Sequence, residues 1–470
     1  MILNFVNRKE ELSFMESQYS SKGASFVVIY GRRRVGKTEL INQFIKSKPC
    51  FYYLCKKQDM KLELERFKDK YSESLNIHLR SPQSFEDLFS EIIEKTSRKE
   101  KLVIAIDEFT YWIERDKTIL STFQVLWDEL LSKKNVMLIL SGSIVSLMET
   151  EVLAYKSPLY GRRTGQWNVK PLSFTTLNEF FPKYNIEDMI KVYSCTNGIP
   201  MYMLQFNQNI SFPDNINATF FSKGNVLYEE GEFLLMEELR EVDTYLNIVL
   251  AISQGSTRLS EIASKSGIDV TNILKYIKVL MRLGIIKKIR PVTHRKEKTK
   301  NTILKVSDKF FRFWTMFVYP HKAEIERGII NFSGFHCAFR KYLGEIFEDI
   351  SEDFLVEQNK MRALPFAFTK IGKEWGKIPG AQKSAAAYEI DVVALNEQAN
   401  QILFCECKWQ DKVNAKKILK ELKEKAKHVQ WKNGNRKEYY AVIARSFKEK
   451  FTEHDVMLFD LRDMEKTMKE

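Results

Sequence analysis

Apolar residues along this chain fall into short, sharply bounded runs separated by longer amphipathic stretches. Residues 25–30, 50–55, 101–109 and 135–143 are continuous aliphatic or aromatic runs of strand length, the pattern of strands covered on both faces. Between them, residues 38–45, 58–76, 84–95 and 118–132 carry apolar positions at helical spacing. Strands alternating with helices predict a parallel α/β sheet, with 167–174 as its fifth strand. From 175 to about 240 the pattern is helical.

The rhythm then changes. Helical stretches at 245–252, 258–263 and 272–283 precede two short strands, 285–290 and 301–306, around a basic hairpin at 293–300. Helix, helix–turn–helix and a two-stranded wing predict a winged helix. An aromatic linker at 310–319, packed at a domain junction, leads to an amphipathic helix at 334–355, and residues 359–387 read as irregular. Residues 388–395 and 401–409 read as a hairpin, followed by a Lys-rich helix at 414–428 and strands at 439–444 and 456–460. The predicted organisation is an α/β multidomain chain. Residues 1–175 form a P-loop core, 176–240 a helical lid, 241–310 the winged helix and 311–470 a mixed α/β domain.

Composition narrows the partners. A chain of 470 residues is too long for one core. Its 74 Lys and Arg against 61 acids give a net charge of +13, which favours a polyanionic partner through counterion release. No apolar run approaches the roughly 20 residues that span a bilayer, and no signal-peptide pattern opens the chain, so the reading is a cytoplasmic protein with no membrane partner. The six cysteines form no C-x-x-C pair and read as reduced core thiols.

Gly31-Arg32-Arg33-Arg34-Val35-Gly36-Lys37-Thr38 fits G-x-x-x-x-G-K-[ST] without a mismatch, between a strand and a helix. The glycines let backbone N–H groups turn toward phosphate at a helix N-terminus. Lys37 reaches the β- and γ-phosphates of ATP, and the Thr38 hydroxyl holds Mg²⁺. Seventy residues later a buried-type strand ends in Asp107-Glu108, the Walker B pattern. Asp107 supports the Mg²⁺ shell and Glu108 polarises the attacking water. The strand ending at Ser141-Gly142-Ser143 offers hydroxyls that can sense the γ-phosphate or hold that water. Arg162 and Arg163, just before the last strand, sit where a finger would neutralise a neighbour's transferring phosphate, which requires an oligomer or an interdomain contact; they could equally pair with local carboxylates.

The segments F-V-N-R-K-E-E-L (5–12), G-R-R-R-V-G-K-T (31–38), I-D-E-F (106–109), L-S-G-S (140–143), P-L-Y-G-R-R (158–163) and N-G-I-P (197–200) occur in that order. Together they resemble the archaeal-type P-loop ATPases, relatives of the STAND and origin-recognition ATPases within the AAA+ radiation. Asn7 stands where many relatives have Gly. The resemblance covers residues 1–240 and implies a five-stranded parallel sheet, a helical lid, ATP with Mg²⁺ and use as a switch. It places the Gly198–Pro200 turn against the nucleotide.

Two further surfaces carry chemistry. The third helix of the winged-helix stretch turns Thr271, Asn272, Lys275 and Lys278 toward a DNA groove, with the basic wing on phosphates. In the last domain Glu406 and Lys408, at i and i+2, share one face of a strand, and Asp391 lies on the neighbouring one. Two carboxylates can hold Mg²⁺ while the lysine orients or deprotonates a water, and Glu348, or else Glu345, completes the set from a helix. The pattern resembles the PD-(D/E)xK nuclease superfamily, with its restriction-endonuclease-like fold, although Ile390 stands where the motif has Pro. The lysines at 416, 417, 420, 423, 425 and 427 form a solvated face or track a DNA backbone. The functional expectation is an ATP-hydrolysing P-loop ATPase that controls a DNA-acting module with Mg²⁺-dependent phosphodiester cleavage. The alternative is an ATP-dependent switch whose nuclease-like domain is inactive and binds a protein or DNA partner. A small-molecule kinase fits less well, because Glu108 and Ser141 suit water activation.

Overall fold

The computed structural model describes residues 5–95, 100–294, 301–378 and 387–469. The chain divides into two compact units. One holds the chain up to Pro171 together with Ile199–Met201; the other holds Leu172–Gly198 and everything from Tyr202 onward.

The first unit is built on β1 (Ser25–Tyr30), β2 (Cys50–Leu54), β3 (Leu102–Asp107), β4 (Val136–Gly142) and β5 (Gly165–Asn168), all parallel, in the order β2-β3-β4-β1-β5. Every residue of β1, β3 and β4 is buried, so the sheet is covered on both faces. Strand alternation sorts the side chains into two cores. Phe26 and Val28 join an aromatic cluster with Phe51, Phe67, Phe85 and Trp112, while Val27 and Ile29 pack on Leu40, Ile41 and Phe44 of the helix Lys37–Ile45. The fifth strand is shorter than the apolar run suggests. Val169 N–H still donates to the Tyr30 carbonyl, but Pro171 has no N–H to continue the ladder.

The second unit is helical at Ile186–Thr196, and again at Val242–Ser253, Leu259–Ser266 and Val270–Arg282. A two-stranded antiparallel ribbon follows, of β6 (Ile286–Ile289) and β7 (Ile303–Val306). The helix Val270–Arg282 buries Ile273, Tyr276, Ile277 and Leu280 and leaves Thr271, Asn272, Lys275 and Lys278 exposed. Residues 295–300 of the basic hairpin lie outside the described residues. The aromatic stretch 310–319 is core rather than linker. Phe310, Phe311, Phe313 and Trp314 are fully buried, and Tyr202 packs on Phe310 with ring centroids 4.6 Å apart.

After the helix His336–Lys360 comes a mixed sheet of β8 (Lys370–Lys377), β9 (Ala387–Asn396), β10 (Gln401–Lys408), β11 (Lys437–Ala444) and β12 (Val456–Phe459), in the order β12-β11-β10-β9-β8. β8, β9 and β10 are antiparallel neighbours, whereas β10, β11 and β12 run parallel. β8 is absent from the sequence reading because Lys-Ile-Gly-Lys-Glu-Trp-Gly-Lys has low strand propensity; its pairing with β9 makes it an edge strand. The helix Ala415–Ala426 packs Leu419, Leu422 and Ala426 on Ile390, Val393, Leu395, Ile402 and Phe404.

Candidate functional site

The loop 31–36 is shaped by backbone contacts that exclude side chains. A Cβ on Gly31 would collide with the Val169 carbonyl oxygen, and Gly36, which caps the helix Lys37–Ile45, sits at φ 91°. Arg34 also takes a left-handed conformation, at φ 70°. Buried Lys37 donates from Nζ to the carbonyls of Gly31 (2.9 Å) and Arg32 (3.2 Å), which places its ammonium inside the loop. Arg8 reaches the loop from the lead-in segment. It donates to the Val35 carbonyl at 2.7 Å and pairs with Glu11, which gives residues 5–12 a local role in holding the loop. Arg33 donates to the Tyr111 hydroxyl at 2.7 Å. Pro200 stands beside the loop, 4.0 Å from where a Cβ on Gly36 would lie.

The carboxyl ends of the strands complete this site. Asp107, fully buried at the end of β3, accepts from the Thr38 hydroxyl (2.6 Å) and from the Tyr52 hydroxyl (2.8 Å) on the same oxygen, Oδ2. Burial and the adjoining Asp107 charge push the Tyr52 phenol upward, so it stays protonated and donates. Tyr52 escapes sequence reading because it is one aromatic in an apolar run; only the pairing of β2 with β3 brings it to Asp107. Glu108 is a non-glycine residue at φ 55°, and Ser143 donates to its Oε2 from both Oγ (2.6 Å) and N (3.3 Å). The Ser141 hydroxyl is buried with no hydrogen-bond partner among the described residues. A hydroxyl and a carboxylate converge at a helix N-terminus, a lysine lies inside the loop, and a buried hydroxyl awaits a partner. That donor set fits a Mg²⁺–nucleotide.

Arg162 and Arg163 are engaged nearby. Arg162 grips Asp128 with Nε at 2.8 Å and Nη2 at 2.7 Å, and this bidentate pair raises its pKa further. Arg163 donates to Gln166 and to the Leu153 carbonyl. Arg162 thus has the local carboxylate partner weighed above, whereas Arg163 is held by a side-chain amide and a backbone carbonyl.

In the second unit the register of β8 on β9 shifts where Gly372 faces Val393 but Glu374 faces Ile390, two steps on one strand against three on the other. Asp391 therefore occupies a β-bulge, a device that re-aims a side chain. Its Oδ2 accepts from Cys407 N–H at 2.8 Å. Lys408 Nζ lies 2.8 Å from Glu406 Oε1 and 3.8 Å from Asp391 Oδ2, so it bridges the two acids. Lys425, from the helix Ala415–Ala426, donates to both Glu406 oxygens at 2.9 and 3.1 Å. Burial, then the charges of Glu406 and Glu348, push Asp391 up to about 7 from an ordinary 3.8. Burial alone would lower Lys408, but Glu406 and Asp391 outweigh it and raise it. Glu348 is held by Lys373 at 2.9 Å, while Glu345 pairs with Arg312 instead. Among the described residues no three His, Cys, Asp or Glu side chains converge closely enough to hold a metal ion. Asp391, Glu406 and Lys408 are brought together; Glu348 acts on them through its charge.

Residues 5–206 match the ATPase_2 family, an ATPase domain predominantly from Archaea, and residues 314–418 match DUF234, archaeal and bacterial proteins of unknown function. Uncharacterized protein MJECL04 of Methanocaldococcus jannaschii is 34% identical over 461 residues, 98% of this chain and 99% of that one. A shorter likeness, 53% over 47 residues, covers 10% of this chain and 80% of the uncharacterized ATP-binding protein MJ0423 of the same organism. Among solved structures, the Walker-type ATPase PABY2304 of Pyrococcus abyssi shares the fold at a TM-score of 0.51 and 22% identity, over 67% of this chain and 96% of that one. Among the described residues no helix is long and apolar enough to cross a membrane. The chain belongs to the family of MJECL04, and its N-terminal part is an ATPase domain of the kind found predominantly in Archaea.

Proposed function

We propose that this protein is an ATP-hydrolysing switch that controls a winged-helix and nuclease-like module acting on DNA. The observation that carries the reading is the pairing of Thr38 and Asp107 at 2.6 Å inside an intact phosphate loop, in the same chain as the Asp391–Glu406–Lys408 cluster. Bound Mg²⁺ would neutralise charge on the ATP phosphates at the first site and on a scissile phosphodiester at the second. Lys37 would bind the β- and γ-phosphates, and Thr38 and Asp107 would hold the ion. Glu108 takes the proton of the attacking water after Ser143 releases it, and Ser141 fixes the γ-phosphate. Arg162 would act as a finger only by exchanging Asp128 for a neighbouring subunit's phosphate, and Arg163 is the alternative.

Pro200 lies against Gly36, and two residues on Tyr202 is buried against Phe310 of the second unit, its hydroxyl on Glu230 at 2.5 Å. That short covalent link supports transmission of the nucleotide state through the Gly198–Pro200 turn. At the second site Asp391 and Glu406 would hold the ion and Lys408 would orient the water, while Glu348 would have to leave Lys373 to join them. The exposed Thr271, Asn272, Lys275 and Lys278 meet DNA from the helix Val270–Arg282. In this reading the domains are the core to about 175, the lid to 240, the winged helix to 310 and the nuclease-like domain beyond.

The reading predicts Mg²⁺-dependent ATP hydrolysis that Lys37→Ala abolishes, measured by phosphate release; hydrolysis unchanged in that variant would overturn it. A second reading draws on the two lysines that neutralise Glu406: the C-terminal domain is an inactive nuclease fold that binds a partner. ATP hydrolysis by pure protein that neither binds nor cuts any nucleic acid would favour this second reading.

A further inference from the structure

Strand β8 is the edge of the mixed sheet, and the bulge at Asp391 forms between it and β9. Two residues of β9, Asp391 and Val392, stand against one of β8, Lys373, which takes no partner in the register. A bulge leaves backbone groups outside the ladder, and they need partners from elsewhere. Here the partner comes from residues 290–293, a strap that continues β6. Val292 N–H donates to the Lys373 carbonyl at 3.0 Å. The Val292 side chain packs beside Gly372, 3.6 Å from where a Cβ on that glycine would lie.

Thr293 grips the next residue of β8. Its N–H donates to Glu374 Oε2 and its hydroxyl to Oε1, each at 3.1 Å. Glu374 is only 1% exposed, and the Tyr388 hydroxyl adds a longer bond of 3.5 Å to Oε1. An inward-facing acid on an edge strand is costly to bury unless donors satisfy it, so the strap is held where it lies.

Both fixed positions bear on Asp391. Glu374 faces Ile390, the residue just before it. Lys373, whose carbonyl the strap holds, sends its ammonium to Glu348 at 2.9 Å and to Glu389 at 2.6 Å, two acids that flank the same site. β8 itself holds Gly372 and Gly376 and few apolar residues, so its own pairing specifies register weakly. A slip of β8 by one residue would move the bulge and turn Asp391 away. We propose that the strap locks this register, through Thr293 on Glu374 and Val292 on Lys373, and that Thr293 is thereby a positioning residue for Asp391. The geometry of the second site is in this way tied to the ribbon β6–β7. This rests on the reading of Asp391 as a metal ligand above and adds the residue outside the cluster that sets its aim.

The test uses the full chain, with Thr293→Val, Thr293→Ser and Glu374→Gln compared with wild type. One readout is hydrogen exchange of the Cys407 amide, which donates to Asp391 Oδ2 and so reports the carboxylate's position without metal. The other is Mn²⁺ affinity by isothermal titration. Thr293→Val keeps the shape and removes the hydroxyl. Cys407 should then exchange about tenfold faster and Mn²⁺ bind about tenfold more weakly, the scale of one lost hydrogen bond to a charged group. Thr293→Ser should restore both to within about twofold of wild type. Glu374→Gln keeps the volume but turns an amide N–H₂ toward a donor, so it should shift both readouts the same way. It carries the test if Thr293→Val does not fold. Amides of β11 should exchange as in wild type throughout, which separates a shift of Asp391 from general loosening.

Unchanged Cys407 exchange in the folded variants, with a lower thermal midpoint as the only effect, would mean that the strap merely covers a sheet edge and would overturn the proposal. Thr293→Ser as impaired as Thr293→Val would overturn it too. If wild type binds no Mn²⁺, the metal reading of the site fails, while Cys407 exchange still decides the positioning role. If wild type and all variants bind Mn²⁺ alike and Cys407 exchange is unmoved, the positioning role fails and the metal reading survives.

Discussion

Asp107 and Glu406 are both buried acids near the carboxyl end of a buried strand, yet their partners differ in kind. Asp107 is held by two neutral hydroxyls, from Thr38 and Tyr52. Glu406 is held by two ammonium groups, from Lys408 and Lys425. A hydroxyl that donates to a carboxylate can turn and offer a lone pair to an incoming cation, at a cost of about one hydrogen bond. A lysine cannot; it must move away. The donors of the first site can therefore turn to an incoming cation, whereas the second site is neutralised from within. The cost of the second site falls on Asp391, which burial and the charges of Glu406 and Glu348 push up to about 7; a cation placed there would favour its ionised form.

The contrast can be broken most severely at Glu108. Glu108→Gln keeps the shape and removes the base, so ATP turnover should fall at least a hundredfold while ATP binding persists, read by steady-state hydrolysis and nucleotide titration. The next largest effect is on pH. Metal binding at the second site requires the Asp391 proton to leave, so Mn²⁺ affinity should rise about tenfold per unit as pH climbs toward 7 and then level off. Because the folded pKa is raised, the stability of metal-free protein carries the opposite slope. The Asp391 contribution is fully present below about pH 4 and is lost as pH rises through 7, measurable as the difference in thermal midpoint between wild type and Asp391→Asn; a pH-independent difference together with a flat Mn²⁺ profile would contradict the role given to Asp391.

Lys425→Met withdraws one of the two competing cations. Mn²⁺ affinity at the second site should then improve several-fold, whereas a lysine that merely positions Glu406 would give weaker binding on removal. Tyr52→Phe should weaken Mg²⁺ at the first site by roughly tenfold, the usual loss when a residue that orients a metal ligand is removed, with ATP affinity in EDTA unchanged. Ser143→Ala is the gentlest change. Freed from its hydroxyl partner, Glu108 should raise basal ATP turnover a few-fold if the Ser143 contact is a restraint, and lower it if Ser143 places the base.

These two sites were also unequally legible. The phosphate loop and Asp107-Glu108 could be read directly because their chemistry lies in contiguous residues at the ends of strands that announce themselves by unbroken apolar runs. Asp391, Glu406 and Lys408 could be read from a hairpin and an i, i+2 spacing. Tyr52 and Lys425 could not, because β2 meets β3, and the helix Ala415–Ala426 meets β10, only through tertiary packing. Strand β8 was hidden by its glycines and lysines, and the bulge that aims Asp391 depends on β8 being present. The aromatic run 310–319 was legible as packed, because a stretch so rich in Phe and Trp is buried, but not as the helical core that it forms.

In the proposed function, nucleotide turnover at the first site governs phosphodiester chemistry at the second. Cleavage of a forked DNA substrate by the full chain, with Mg²⁺ and with or without ATP, tests it directly when wild type is compared with Lys37→Ala and Lys408→Ala. The account predicts cutting by wild type that depends on ATP and is lost in both variants. Cutting that persists in Lys408→Ala, or that is indifferent to ATP and to Lys37, would contradict it.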